Sequence, residues 1–160
     1  MDLRKKASKI SSIFLALTGK KLDLSIYPDR IMLQKIVYLF QEEGVNFGYH
    51  FNWYVKGPYS ISLTKDLFDT FKEKLMVHSI ELNNKEKSIA EKMRLCFGKG
   101  LSDENYLEIL GSLVFIRNEG LSASGKVVDS LISRKPWLER AEVEEVYEDL
   151  QKSGLFCKMN

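Results

Sequence analysis

Histidine, cysteine and proline are scarce in this sequence, and an excess of one charge sign is almost missing. Its two histidines, His50 and His78, and its two cysteines, Cys96 and Cys157, share no close spacing, so the Cys/His pairs of a zinc site are excluded. Two histidines without neighbouring carboxylates also make a poor site for any other metal, and acid-base work would need them to face each other across paired strands. A phosphate-cradling glycine loop is missing, because Gly98-Lys99-Gly100 has neither the preceding strand nor the spacing. So is a nucleophile elbow: Gly111-Ser112 lies inside a helical pattern, and Ser124-Gly125 reads as a helix start. Cys96 sits among Met93, Leu95 and Phe97, the setting of a buried inert thiol, and Cys157 belongs to a tail expected to fray. The pairs Glu42-Glu43 and Glu144-Glu145 diverge around a helix, cannot share a proton and read as solvent-facing. The expectation is a chain without catalytic residues, cofactor or metal.

Long apolar runs are lacking too. Ser8, Lys9, Ser11 and Ser12 interrupt the apolar positions after the N-terminal charges, which leaves neither a signal peptide nor a membrane span and points to the cytoplasm with reduced thiols. With 44% hydrophobic and 29% charged residues in 160 positions, the composition is that of a single folded domain and not of a disordered chain. A net charge of +2 is too small to announce a polyanion partner, but its distribution is uneven. Residues 1–35 carry eight basic side chains against three acidic ones, and residues 139–152 carry six acidic against two basic. Such poles could dock within the monomer, across a head-to-tail homodimer, or, at the basic end, on phosphate.

What is present is mostly helical periodicity. Leu3, Ala7, Ile10, Phe14 and Leu17 form one stripe that Gly19 ends, and Leu33, Ile36, Val37 and Phe40 form a second over residues 30–43. Over residues 49–55 the period changes to two, with Tyr49, Phe51, Trp53 and Val55 on the core face and His50, Asn52 and Tyr54 opposite. Gly57-Pro58 then turns the chain into a helix capped by Ser60 or Ser62, with Leu63, Leu67, Phe71 and Leu75 at steps of four. Met76, His78, Ile80 and Leu82 alternate, which predicts a second strand paired with the first. Further helices are expected over residues 85–97, from a Ser102 cap to Ile116, over 124–133 and over 138–153. The fold class that results is mainly α with a small antiparallel β ribbon. Its sub-parts are a winged-helix-like half, residues 1–98, and a helical half, residues 101–160.

The chemistry-bearing concentration is aromatic: Tyr49, Trp53, Tyr54 and Tyr59 beside Lys56. Tyr and Trp supply large contact area at low entropic cost, which favours them on recognition surfaces. Met32-Leu33-Gln34-Lys35-Ile36-Val37-Tyr38-Leu39 followed by Trp53-Tyr54-Val55-Lys56-Gly57-Pro58-Tyr59-Ser60 resembles the Panacea domain of SocA-like antitoxins and the small YwgA-like proteins, over roughly residues 5 to 75. Leu33, Gln34, Lys35, Tyr38, Gly57 and Pro58 match that pattern, whereas Tyr59 and Ser60 fit the YwgA-like form better than the Val often found in the Panacea form. The resemblance implies a non-enzymatic regulatory module, antitoxin-like in some members and bound to a toxin. The candidate partner-binding residues are therefore Gln34, Lys35, Tyr38, Trp53, Tyr54, Lys56, Gly57, Pro58 and Tyr59. The alternative is a DNA-binding regulator reading the groove with residues 60–74, where Lys65, Lys72 and Lys74 are offset by Asp66, Asp69 and Glu73.

Overall fold

The computed structural model describes residues 2–72, 80–122 and 126–157. Among these residues, seven α-helices and one two-stranded ribbon occur in the order α1 (Leu3–Thr18), α2 (Tyr27–Glu42), β1 (Asn52–Tyr54), β2 (Gly57–Tyr59), α3 (Ile61–Lys72), α4 (Asn84–Phe97), α5 (Glu104–Asn118), α6 (Val127–Arg134) and α7 (Arg140–Ser153). A 3-10 turn, Gly98–Ser102, joins α4 to α5. The mainly helical class with a small antiparallel ribbon is thus what the chain adopts.

The two central helices are α2 and α5. Every residue of α2 from Ile31 to Phe40 is buried, as is every residue of α5 from Leu107 to Ile116, and the two helices pack on each other. Each fully buried Leu, Ile or Phe removes apolar surface worth about 1.5–3 kcal/mol from water, so helices buried on all sides carry most of the stability. They must then also bury whatever polar residues they contain. One hydrophobic cluster runs from Ala7 to Phe156 and includes residues from both sides of Lys99–Leu101. Helix α1 packs against α3 and α4, and α6 and α7 pack against α5.

The ribbon differs from the sequence expectation. Strand β1 pairs with β2, in the register Asn52 with Tyr59, Trp53 with Pro58 and Tyr54 with Gly57. The expected partner was the segment Met76 to Leu82, of which Met76 and His78 lie outside the described residues, as does Leu75. Ile80 instead donates its backbone N–H to Ser12 Oγ on α1, 2.8 Å away, and Leu82 packs on the core. The Gly57-Pro58 corner is therefore the second strand of a hairpin turning at Val55 and Lys56. Neither of these two residues has positive φ, whereas Gly57 sits at +96°, the left-handed residue that closes a turn of this length. Pro58 is tolerated because a ribbon has two edges and needs no donor there. Both strands precede α3, so the winged-helix order, with a strand after the recognition helix, is not found among the described residues.

Other boundaries shift for local reasons. Helix α2 begins three residues before Arg30, with Pro28 in its first turn, where a missing N–H costs nothing. Helix α5 is capped by Asp103 and not Ser102; the carboxylate accepts from the N–H groups of Asn105 and Tyr106. Ser102 donates to the Thr18 carbonyl. Ser60 caps α3, its Oγ accepting from Leu63 N–H at 3.2 Å. The C-terminal segment is anchored as far as it is described, to Cys157: Phe156 is buried and stacks on Phe97 at 6.1 Å. Glu43 accepts the Phe156 N–H, and Glu42 accepts from Asn118 Nδ2 at 2.9 Å. These two carboxylates, expected to face solvent, are structural anchors. Cys96, expected to be buried, is half-buried.

The charged poles are absorbed locally. Lys9 pairs with buried Glu86 at 2.8 Å, Lys20 with buried Asp29 at 2.7 Å, and Lys6 lies 4.7 Å over the Tyr49 ring. At the acidic end Arg140 meets Asp129 and Glu144, and Lys152 meets Glu148. No described ion pair joins one pole to the other.

Candidate functional site: a cationic cluster under an aromatic hairpin

Because α2 is buried all round, the Gln34-Lys35 pair within it has to find partners inside the protein. Gln34 reaches the end of the hairpin: its Oε1 accepts from Ser60 N–H at 2.8 Å, and its Nε2 donates to the Ser60 carbonyl at 3.1 Å and to Thr64 Oγ1 at 2.7 Å. Thr64 Oγ1 donates in turn to the Tyr59 hydroxyl at 2.7 Å. Lys35 Nζ donates to the Pro58 carbonyl at 2.8 Å. A two-stranded ribbon is marginal in water; this one is pinned to α2 by two side chains.

Around Lys35 the chain gathers an unusual set of charges. Glu108 of α5 is buried, and its Oε2 accepts from Lys135 Nζ at 3.3 Å while its Oε1 lies 3.6 Å from Lys56 Nζ. Lys135 is as buried as Lys35, and its ammonium lies 5.1 Å from the centre of the Trp53 ring, within cation-π range. Two ammonium groups, those of Lys135 and Lys56, thus share the Glu108 carboxylate, with Lys35 within electrostatic reach of all three. Burial pushes Lys35 down to about 7, helped by repulsion from Lys135 and Lys56 and opposed by Glu108 and Glu104. Burial also lowers Lys135, against the pull of Glu108. The arrangement fits closely. A Cβ on Gly57 would lie 2.5 Å from Ser112 Oγ, and one on Gly111 would meet Lys35 and Pro58 at 3.4–3.5 Å. Ser112 Oγ is itself buried without a hydrogen-bond partner among the described residues.

Above the cluster the hairpin and the turn after α6 enclose an open groove of about 380 Å³, lined by Trp53, Tyr54, Val55, Arg134, Lys135 and Trp137. Val55 is 74% and Trp137 64% exposed, a high degree for side chains of that size. Tyr54 stands against Tyr59 in an edge-on pair with centroids 5.3 Å apart, and the half-buried Trp53 tilts on Phe115 at 5.8 Å. A larger depression of about 960 Å³ lies by Lys21–Ser25, Phe68 and Asp69, but its charged residues are solvent-exposed and do not converge. A smaller apolar cavity of about 160 Å³ lies between α2 and α3. Lys35 lines none of these three.

The predicted site residues divide accordingly. Trp53 and Tyr54 line the groove, Tyr59 braces Tyr54, and Lys56 lies behind it on Glu108. Gln34, Lys35, Gly57 and Pro58 are buried and shape the hairpin from beneath. Tyr38 is a core residue, edge-on to Phe51 at 5.3 Å; burial and the Glu42 carboxylate raise its hydroxyl pKa. Sequence reasoning missed Glu108, Ser112, Arg134, Lys135 and Trp137. Glu108 carried a signal, a single charge in the run Leu107-Glu108-Ile109-Leu110; Lys135 and Trp137 carried none, because only the fold brings the turn at Pro136 to the hairpin. His50 is exposed and bonds Asn52 at 3.2 Å, and His78 lies outside the described residues. Among the described residues no cluster of His, Cys, Asp and Glu could hold a metal ion, and no helix is long and apolar enough to cross a membrane. Comparison with protein-family models, curated proteins and solved structures gave no significant match.

Proposed function

We propose that this chain is a non-catalytic binding module that docks a partner protein on the hairpin corner. The observation that carries the reading is the groove: exposed Val55, at the turn of a pinned aromatic hairpin, and exposed Trp137, on the turn after α6, line the same cleft. Rigid aromatic anchors around a concave, partly cationic floor have the composition of interaction hot spots. The resemblance to the Panacea and YwgA-like proteins gives the partner a class, a second regulatory protein and, for an antitoxin-like role, a toxin. The DNA alternative is weakened because Lys6, Lys9 and Lys20 of the basic N-terminal region are already engaged, which leaves fewer cations for phosphate.

Affinity capture from the native host tests this. Trp137→Ala and Tyr54→Ala alter exposed side chains, so both variants should keep the wild-type melting curve while losing a partner that the wild type retains. Retention of every wild-type partner by both variants refutes the reading.

A further inference from the structure

The groove has a charge imbalance that says what kind of segment fits it. Its charged lining consists of Arg134 and Lys135, with Lys56 behind, and the buried acid of the cluster, Glu108, already has both oxygens committed to Lys135 and Lys56. Lys135 is sealed from water beneath Trp53, and among the described residues its one carboxylate partner, Glu108 at 3.3 Å, is shared with Lys56, so the two ammonium groups have one negative charge between them. A buried cation with low-dielectric walls projects its field through the nearest opening. Here that opening is the groove. Arg134 stands at its edge; its described bonds are to the carbonyls of Ser130 and Leu121, at 3.3 Å each, with no acid among them.

Building on the partner-binding reading, we infer that the groove accepts a stretch of partner protein in which a carboxylate side chain neighbours an apolar one. The carboxylate takes its hydrogen bond from Arg134 and neutralises the field of the buried Lys135. The apolar side chain lodges between Trp53 and Trp137. The acid completes a cluster that the fold leaves short of negative charge, which selects acidic segments over neutral or basic ones by charge complementarity.

The sequence supplies its own reporter, because Trp53 and Trp137 are its two tryptophans and both line the groove. The full chain is titrated, following tryptophan emission, with the peptide acetyl-Gly-Glu-Leu-Glu-Gly-amide and separately with its glutamine twin. The acidic peptide should change the emission saturably, with binding weakened by salt, and the twin should bind about tenfold or more weakly. Arg134→Gln, an exposed change that leaves the fold intact, should bring the two peptides within about twofold of each other; Lys135→Met, if it folds, should do the same. Equal binding of both peptides to the wild type overturns the carboxylate while leaving partner capture by Trp53 and Trp137 standing. Binding of neither at millimolar concentration overturns the inference, and the capture experiment then decides the broader reading separately. Salt-dependent quenching by a short duplex DNA but not by the acidic peptide also overturns it, as does self-association abolished by Arg134→Gln, which would make a second copy of the chain the occupant.

Discussion

At the residue scale the decisive choice is the placement of a lysine in the middle of a helix that is buried on every side. Lys35 is held by the Pro58 carbonyl and faces Lys135, Lys56, Glu108 and Glu104. Its folded-state pKa, about 7, lies below the ordinary lysine value of 10.5. The unfolded chain therefore binds the extra proton between those two values, and stability rises with pH across that window. The slope from one such group approaches about 1.4 kcal/mol per pH unit, and Lys135, lowered in the same direction, adds to it. Above the ordinary tyrosine value of 10 the sign reverses, because buried Tyr38 and Tyr49 and half-buried Tyr106 have raised pKa values and resist the deprotonation that their unfolded forms undergo. Urea midpoints measured from pH 7 to 10 should climb for the wild type and climb less steeply for Lys35→Met. A flat wild-type profile would mean that Lys35 stays charged and paired.

Gly57 is the second residue on which the site depends. Its φ of +96° disfavours any side chain, and a methyl group there meets Ser112 Oγ at 2.5 Å. Gly57→Ala should cost about 2–4 kcal/mol from backbone strain and overpacking together. Adding Ser112→Gly removes the clash but not the strain, so the double variant should recover about half of the loss in a chemical-denaturation measurement. Full additivity of the two changes would show that the contact is not made.

At the element scale the hairpin is an accessory of α2, held where Gln34 bonds both backbone groups of Ser60. Gln34→Leu leaves the buried Ser60 N–H without its partner, whereas the Ser60 carbonyl still accepts from the Thr64 N–H at 3.2 Å, and an orphaned buried N–H costs about 1–3 kcal/mol. Hydrogen exchange at Ser60 and along β2 should accelerate in that variant while α5 keeps its protection. Equal acceleration in both elements would show that the hairpin and the core unfold together.

Much of this level was legible in the sequence. The stripes through Ile10 and Phe14 and through Ile36 and Phe40 became α1 and α2 because helical period and burial agree there. The alternation from Tyr49 survived as far as Trp53, while Val55, expected inside, turned outward with the hairpin. The pairing of β1 differs from the expectation because alternation shows which residues extend but not which segment they meet. Gly57-Pro58 permits a turn into a helix as well as a left-handed residue followed by an edge strand, and the close approach of Ser112, a contact made across more than fifty positions of sequence, favours the second. Lys135 and Trp137 depend wholly on such long-range placement.

At the scale of the whole molecule, one contiguous core joins helices from both ends of the chain, and Phe156 locks the C-terminal segment over Phe97. Phe156→Ala should lower stability by about 3–5 kcal/mol, read as a single shifted transition if the chain unfolds as one unit. A core this continuous leaves few apolar groups outside it without reason. Exposed Tyr27 and Phe68 share the small cavity between α2 and α3, and Leu95 on α4 lines no cavity described above, whereas Tyr54, Val55 and Trp137 share one groove over the lysine cluster.

That contrast defines the most direct measurement. A photo-crosslinking side chain placed at Val55 in the native host, and in parallel at Leu95, compares two similarly exposed apolar positions, 74% and 80% accessible, of which only the first lines the groove. The groove account predicts a discrete adduct with another protein from Val55, suppressed by Trp137→Ala, and none from Leu95. Identical adduct patterns from both positions, or an adduct from Leu95 alone, would contradict it.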